Sequence, residues 1–249
     1  MRLSGKVAII TGGARGLGFS YAKRVAMAGA NVVIADIVGC EERIENWNAE
    51  LAGKSLFQQT DVRATAEVER LIDFTISNFG KIDILINNAS NFSSLTRKPF
   101  YEISSAEWQD IFAVNVQGTF NCIKGVFPHM KQQKYGKIIN ISSDAVFKGL
   151  PLLLHYVASK GAIVAMTRSL ARELGPFNIT VNAIAPGYTR QEDFSKWDAK
   201  RDEIVVKLRS IQRTQVPEDL LGTIMFLASS DSDFITGQTL VVDGGEVLH

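Results

Sequence analysis

Tyr156 and Lys160 are the two residues of this sequence whose types and spacing most readily suggest chemistry. Four apart on a helix, a phenol and an ammonium share one face. An ordinary tyrosine ionises near pH ~10, too high for proton transfer close to neutrality. A neighbouring positive charge favours the phenolate, so the spacing predicts a phenol of lowered pKa that exchanges protons at physiological pH. The same pair also fits a surface tyrosine beside a solvated lysine, and the elements around it have to decide.

Those elements alternate. Val7-Ala8-Ile9-Ile10 reads as a buried parallel strand, followed by the glycine-rich Thr11 to Gly18 and a helix through Ala28. Strand, glycine turn and helix present backbone N–H groups to a phosphate, and Gly12, Gly16 and Gly18 suit the tight turn and close approach of a pyrophosphate. A plain βα turn is the alternative. A second strand, 31–36, ends in Asp36, near the spacing of about 20 residues expected of a carboxylate that binds a ribose. Asp36 predicts NAD over NADP, because its charge would repel a 2′-phosphate. Arg15 is the opposing signal, and a turn or N-cap role is the alternative for Asp36.

Further helices are expected at 41–51, 65–78, 157–174, 198–208 and from Pro217 to Ala228. Strands are expected at 55–59, 82–86, 137–141, 180–184 and 239–242. Ser104 and Glu107 form a capping-box pattern, opening a helical region that runs to Lys131. Asn115 falls on its apolar face, where it is a satisfied core group, holds a water or bends the helix. Asn87 and Asn88 follow a strand and can brace a turn. Residues 188–213 are polar and irregular, as a lid over a site would be. Seven strands alternating with helices predict one α/β domain, a Rossmann-type doubly wound parallel sheet in three α/β/α layers spanning residues 1–249.

Composition narrows the classes. The 249 residues carry a formal charge of +1 and are 46% hydrophobic, which gives no general attraction to nucleic acid or acidic membranes. No apolar run reaches the ~18 residues of a membrane span. Cys40 and Cys122 are expected as buried thiols in a reducing compartment, so the chain is expected in the cytoplasm. His129, His155 and His249 form no ligand pattern with the cysteines, and no metal site is expected.

Taken together, Thr11-Gly12-x-x-x-Gly16-x-Gly18, Asp61-Val62, Asn87-Asn88-Ala89, Asn115, Ser143, Tyr156-x-x-x-Lys160, Asn182, Pro186-Gly187 and Asp243-Gly244-Gly245 resemble the short-chain dehydrogenase/reductase family over essentially the whole chain. Within it the resemblance is to NAD-dependent secondary-alcohol dehydrogenases. The resemblance implies that Tyr156 is the general acid/base and that Lys160 lowers its pKa and binds the nicotinamide ribose. It implies that Ser143 bonds the substrate oxygen and that Asn115 holds a relay water. Backbone at Ile10–Gly18, Gly12, Arg15, Gly16, Leu17 and Gly18 included, would cradle the pyrophosphate, with Asp61 and Val62 at the adenine and Asn88 and Ala89 by the ribose. Pro186, Gly187 and Thr189 would flank the nicotinamide. Ser90 stands where the family often has glycine, and Gln191 where it often has threonine, leaving Thr189 and Gln191 as rivals for the nicotinamide contact. A homotetramer is implied, packed through the two long helices that carry Asn115 and Tyr156.

The expected reaction is reversible hydride transfer between a secondary alcohol and its ketone. The expected walls of the substrate site are Ser90–Leu95, Ala145–Leu154 and Tyr188. Phe92, Val146, Phe147, Leu150 and Leu152–Leu154 there favour an aromatic or alicyclic small-molecule substrate. The alternatives are an NADPH-dependent 3-oxoacyl reductase and a nucleotide-binding scaffold without turnover.

Overall fold

The computed structural model describes residues 2–48, 53–92, 95–191 and 198–248. Its centre is one seven-stranded parallel sheet of order β3-β2-β1-β4-β5-β6-β7. The strands are β1 (Val7–Thr11), β2 (Asn31–Asp36), β3 (Ser55–Gln59), β4 (Ile84–Asn87), β5 (Gly136–Ile141), β6 (Ile179–Pro186) and β7 (Thr239–Val242). Side chains alternate along a strand, so neighbouring apolar residues feed opposite faces. Ala8, Ile10, Val32, Ile34, Ile84 and Ile86 pack on one face against α1 (Gly16–Met27), α2 (Glu41–Asn48) and α9 (Glu218–Ala228). Ile9, Val33, Leu85, Ile138 and Val181 pack on the other against α3 (Thr65–Phe79), α5 (Thr119–Gln133) and α7 (Leu154–Leu174). Two cores on one sheet make three layers, and the sheet's strands are apolar on both faces because both are covered.

Strand order reverses beside β1, which pairs with β2 on one side and β4 on the other. In open parallel sheets such a switch point leaves a crevice at the carboxyl ends of the strands. Residues that follow strands therefore meet there although they are far apart in sequence.

Several expected boundaries move. Helix α7 begins at Leu154, ahead of the expected Val157, so Tyr156 lies in its first turn. Pro217 is the N-cap of α9 rather than its first helical residue. The expected extension of α2 to Leu51 falls outside the described residues. The capping box is present: Ser104 accepts from the Glu107 amide, and Glu107 reaches back to the Ser104 amide, opening α4 (Ser105–Phe112). A π-helical turn, Ala113–Gly118, then joins α4 to α5. Asn115 sits in this bulge, so of the expected alternatives for it, a change in the helix is present. Short α6 (Ala145–Lys148) was expected only as a wall segment, and α8 (Ala199–Leu208) is capped by Asp198. Among the described residues no helix is long and apolar enough to cross a membrane.

Candidate active site

The crevice holds a cavity of about 640 Å³. That volume lies within the range of about 300–1,000 Å³ usual for small-molecule sites. Its first part is backbone. Gly12 and Gly16 adopt φ of +61° and +55°, which other residues rarely do. A Cβ on Gly18 would lie 2.1 Å from the Gly12 carbonyl oxygen. The loop thus closes on itself only because these positions lack side chains. Helix α1 starts here without a side-chain cap, and the Leu17 amide bonds to Gln191 Oε1 at 3.2 Å. Unused N–H groups at a helix start facing a cavity suit an anionic group.

Thr11 ties the loop to β4. Its hydroxyl accepts from the amides of Asn88 and Ala89, both at 3.1 Å. Asn88 Nδ2 donates to the carbonyls of Thr11 at 3.1 Å and Gly12 at 2.8 Å. Asp36, at the end of β2, accepts from the Ala14 amide at 3.0 Å and the Val38 amide at 3.2 Å, which fixes its carboxylate at the rim. Arg15 is exposed and its side chain has no partner among the described residues. Arg63 grips Asp61 at 2.7 Å and holds its carboxyl below the usual range by hydrogen bonding, although partial burial opposes this. Gly12, Arg15, Gly16, Leu17, Gly18, Asp36, Asp61, Val62, Asn88 and Ala89 all line the cavity. So do Pro186, Gly187 and Thr189. Thr189 turns its hydroxyl to the Gly187 carbonyl at 3.0 Å, and Gln191 lines the cavity as well.

At the other end stand Ser143, Tyr156 and Lys160, from the end of β5 and the start of α7. Lys160 Nζ lies 5.9 Å from the centre of the Tyr156 ring and donates to the Ile141 carbonyl at 2.9 Å. Tyr156 also packs against Phe92, with ring centres 5.0 Å apart. The side chains are together, but the expected pKa change is not present in the chain alone. Burial pushes the Tyr156 phenol up to about 12, a hydrogen bond from Ser143 pulls against it, and Asp144 adds to the rise. Burial also lowers Lys160 to about 8. The ammonium is directed at a carbonyl and is itself driven towards neutrality, so desolvation outweighs it at the phenol.

Asn115 is brought near but not into the cavity. Its Oδ1 accepts from the Asn91 amide at 2.9 Å and its Nδ2 donates to Ser159 at 2.9 Å. Its side chain is thereby occupied in joining the loop after β4 to α7. Of the expected substrate walls, Ser90, Asn91, Phe92, Ala145, Lys148, Leu150 and Tyr188 line the cavity. Val146, Phe147 and Leu152–Leu154 do not: Val146 faces Gly161 on α7, Leu153 is in the core, and Leu152 and Leu154 are exposed. Ser93 and Ser94 lie outside the described residues. Asp144 reaches the cavity from outside the expected walls, and Arg201 reaches it from within the expected cover 188–213. The spacing Asp144-x-x-x-Lys148 is a visible signal for Asp144, while Arg201 comes from an element distant in sequence.

The fold and this crevice define a doubly wound nucleotide-binding α/β protein. Comparison with known proteins makes the assignment sharper. A family model described as Enoyl-(Acyl carrier protein) reductase matches residues 12–246. The chain is 38% identical over 246 residues to 2-dehydro-3-deoxy-D-gluconate 5-dehydrogenase of Escherichia coli (strain K12), covering 98% of this chain and 96% of that one. It is also 38% identical over 251 residues to the 3-oxoacyl-(acyl-carrier-protein) reductase FabG of Staphylococcus aureus (strain Mu50 / ATCC 700699), covering 96% and 97%. The solved structure of Levodione Reductase matches with a TM-score of 0.91 at 26% identity, covering 98% of both chains. The chain belongs to the short-chain dehydrogenase/reductase family and is an oxidoreductase acting on alcohols or ketones with a nicotinamide cofactor.

Proposed function

We propose that the chain is an NAD(H)-dependent dehydrogenase that interconverts a secondary alcohol and its ketone. The observation that carries this reading is the convergence of Ser143, Tyr156 and Lys160 at one end of a glycine-lined cavity. Backbone at Ile10–Gly18 would hold the pyrophosphate and Asp36 the adenosine ribose, with Asp61 and Val62 at the adenine and Asn88 and Ala89 by the ribose. Pro186, Gly187 and Thr189 would lie by the nicotinamide. The dinucleotide, when bound, takes or supplies the hydride. Tyr156 removes the alcohol's hydroxyl proton during oxidation and returns it during reduction. Ser143 holds the substrate oxygen beside the phenol. Lys160 keeps positive charge at that end and reaches the nicotinamide ribose. Asn115 acts through the Asn91 loop and Ser159 as a positioning residue.

Phe92, Leu150 and Tyr188 support a ring or alicyclic group on the substrate. Residues 188–213, of which 192–197 lie outside the described residues, are the proposed cover of that end, in one catalytic domain, supported by Tyr188 and Arg201 on the cavity wall. Trp108 and Phe120, exposed on the α4–α5 side, support a homotetramer packed there. Two free, buried cysteines support a cytoplasmic setting.

Replacing Tyr156 by Phe tests the reading. Turnover of secondary alcohols with NAD is expected to fall by about 10³-fold, within the range for general acid–base catalysis. Dinucleotide affinity, followed by fluorescence, is expected to persist. Unchanged turnover would reject the role of Tyr156. Arg15, exposed and without a side-chain partner among the described residues, favours a second reading, an NADPH-dependent 3-oxoacyl reductase, and a strong NADPH preference in matched assays would establish it over the first.

A further inference from the structure

A chain of charged groups, two buried carboxylates with a half-buried lysine between them, leads away from Ser143. Ser143 Oγ donates to Asp144 Oδ1 at 3.4 Å and accepts from the Ala145 amide at 3.2 Å. Asp144 Oδ2 meets Lys148 Nζ at 2.6 Å, and Lys148 meets Glu246 Oε1 at 2.8 Å. The side chains of Asp144 and Glu246 are 5% and 6% exposed. Glu246 comes from the C-terminal tail, which Asp243 folds inward by accepting from the amides of Gly245, Glu246 and Val247. Buried carboxylates are costly unless paired, so a cluster with one lysine between two of them must be held by the fold for a reason.

The hydroxyl of Ser143 has a single proton and two claimants. One is Asp144 Oδ1. The other is the phenol oxygen of Tyr156, which lines the same cavity wall and whose pKa a proton offered by Ser143 would lower. A charged acceptor normally wins over a neutral one. With the proton on the Asp144 side, the Ser143 oxygen turns a lone pair to the cavity. It then accepts from a phenol or an alcohol, and does not donate to a ketone oxygen. Lys148 and Glu246 set how much negative charge Asp144 keeps.

We propose that Asp144 is a positioning residue that orients the Ser143 hydroxyl, with Lys148 and the tail residue Glu246 as its support. The proposal rests on the reading that Ser143 contacts the substrate oxygen. It makes the C-terminal tail part of the active site, through contacts that no motif of the sequence announces.

The test is carbon-13 NMR of tyrosine Cζ in the NAD-saturated protein at one alkaline pH, with Tyr156 assigned from the Tyr156→Phe spectrum. Asp144→Asn weakens the competing acceptor and frees Ser143 to donate to the phenol oxygen. The Tyr156 resonance is expected to move towards the phenolate position. Glu246→Gln leaves Lys148 to Asp144 alone and is expected to give a smaller shift in the same direction. In a Ser143→Ala background, Asp144→Asn is expected to move the resonance no further. A Tyr156 resonance unmoved in both single variants overturns the proposal, as does an equal movement without Ser143. Thermal melts of each variant show that it is folded, and Glu246→Gln carries the test if Asp144→Asn is not. Turnover of a secondary-alcohol panel by Ser143→Ala separates the two claims: unchanged turnover removes the substrate role of Ser143, whereas lost turnover with an unmoved resonance removes only the role of Asp144.

Discussion

The two ends of the crevice are made of different material. The dinucleotide end is backbone: glycines without room for a Cβ, the uncapped start of α1, and Thr11 and Asn88 bonding main-chain groups. The substrate end is side chain: Ser143, Tyr156, Lys160, Asp144, Lys148, Phe92 and Arg201, drawn from stretches far apart. Backbone geometry at the first end depends on local residues and on the ends of β2 and β4, the two strands paired with β1. Side-chain chemistry at the second depends on burial, and burial there reverses the expected direction of the Tyr156 shift. The lesson is that a motif transmits shape more reliably than it transmits electrostatics.

The sharpest way to break this comparison is Gly18→Ala. The added Cβ would sit 2.1 Å from the Gly12 carbonyl oxygen and 2.5 Å from Asn88 Nδ2, and the first of these is backbone. Overpacking of this kind costs up to about 3 kcal/mol, so dinucleotide affinity is expected to fall on the order of 100-fold in an equilibrium titration. Unchanged affinity would mean that the backbone cradle is not what limits binding.

Asp36→Ser examines a side chain within the backbone end. Hydrogen bonds to charged groups contribute about 1.5–3 kcal/mol, so the ratio of kcat/KM for NAD over NADP is expected to drop by about 30-fold. A ratio that stays where it was would take the ribose from Asp36 and raise the importance of Arg15.

A smaller effect, on stability, sharpens the contrast at the substrate end. Lys160 has its pKa lowered from 10.5 to about 8 by burial. Between those values the unfolded chain binds more protons than the folded one, so this group makes stability rise with pH from about 8 to 10.5. Below about 8 the fold carries a buried ammonium. Tyr156, raised from 10.0 to about 12, acts oppositely and makes stability fall across that higher window. Lys160→Met is therefore expected to lose turnover yet raise Tm near neutrality by about 2–4 °C, a gain of ~1 kcal/mol for a chain of this size. The gain should shrink in melts above the lysine's window. A Tm that falls at every pH would show that the lysine stabilises the fold.

Much of the scaffold was legible. The strands 31–36, 55–59 and 239–242 appear as expected, because short apolar runs between turn signals leave little choice of boundary. The start of α7 carries no sequence signal, because Leu153, its N-cap, makes no side-chain cap bond. The π-turn around Asn115 was not distinguishable from ordinary helix, since apolar periodicity hardly registers one extra residue. Val146 and Phe147 were expected on the cavity wall because they sit between Ser143 and Tyr156, but helix α6 does not place them on it.

What the sequence determined by itself was the parallel sheet, the glycine cradle after β1, and the presence of a phenol and an ammonium one helical turn apart. These follow from local sterics and hydrophobic periodicity, which act over a few residues. Only the tertiary structure decided that Asn115 spends its side chain on Asn91 and Ser159, that Glu246 meets Lys148, and that the Tyr156 phenol is pushed up rather than down. Those outcomes depend on which charges are desolvated together, and desolvation is a property of the packed interior, not of the order of residues along the chain.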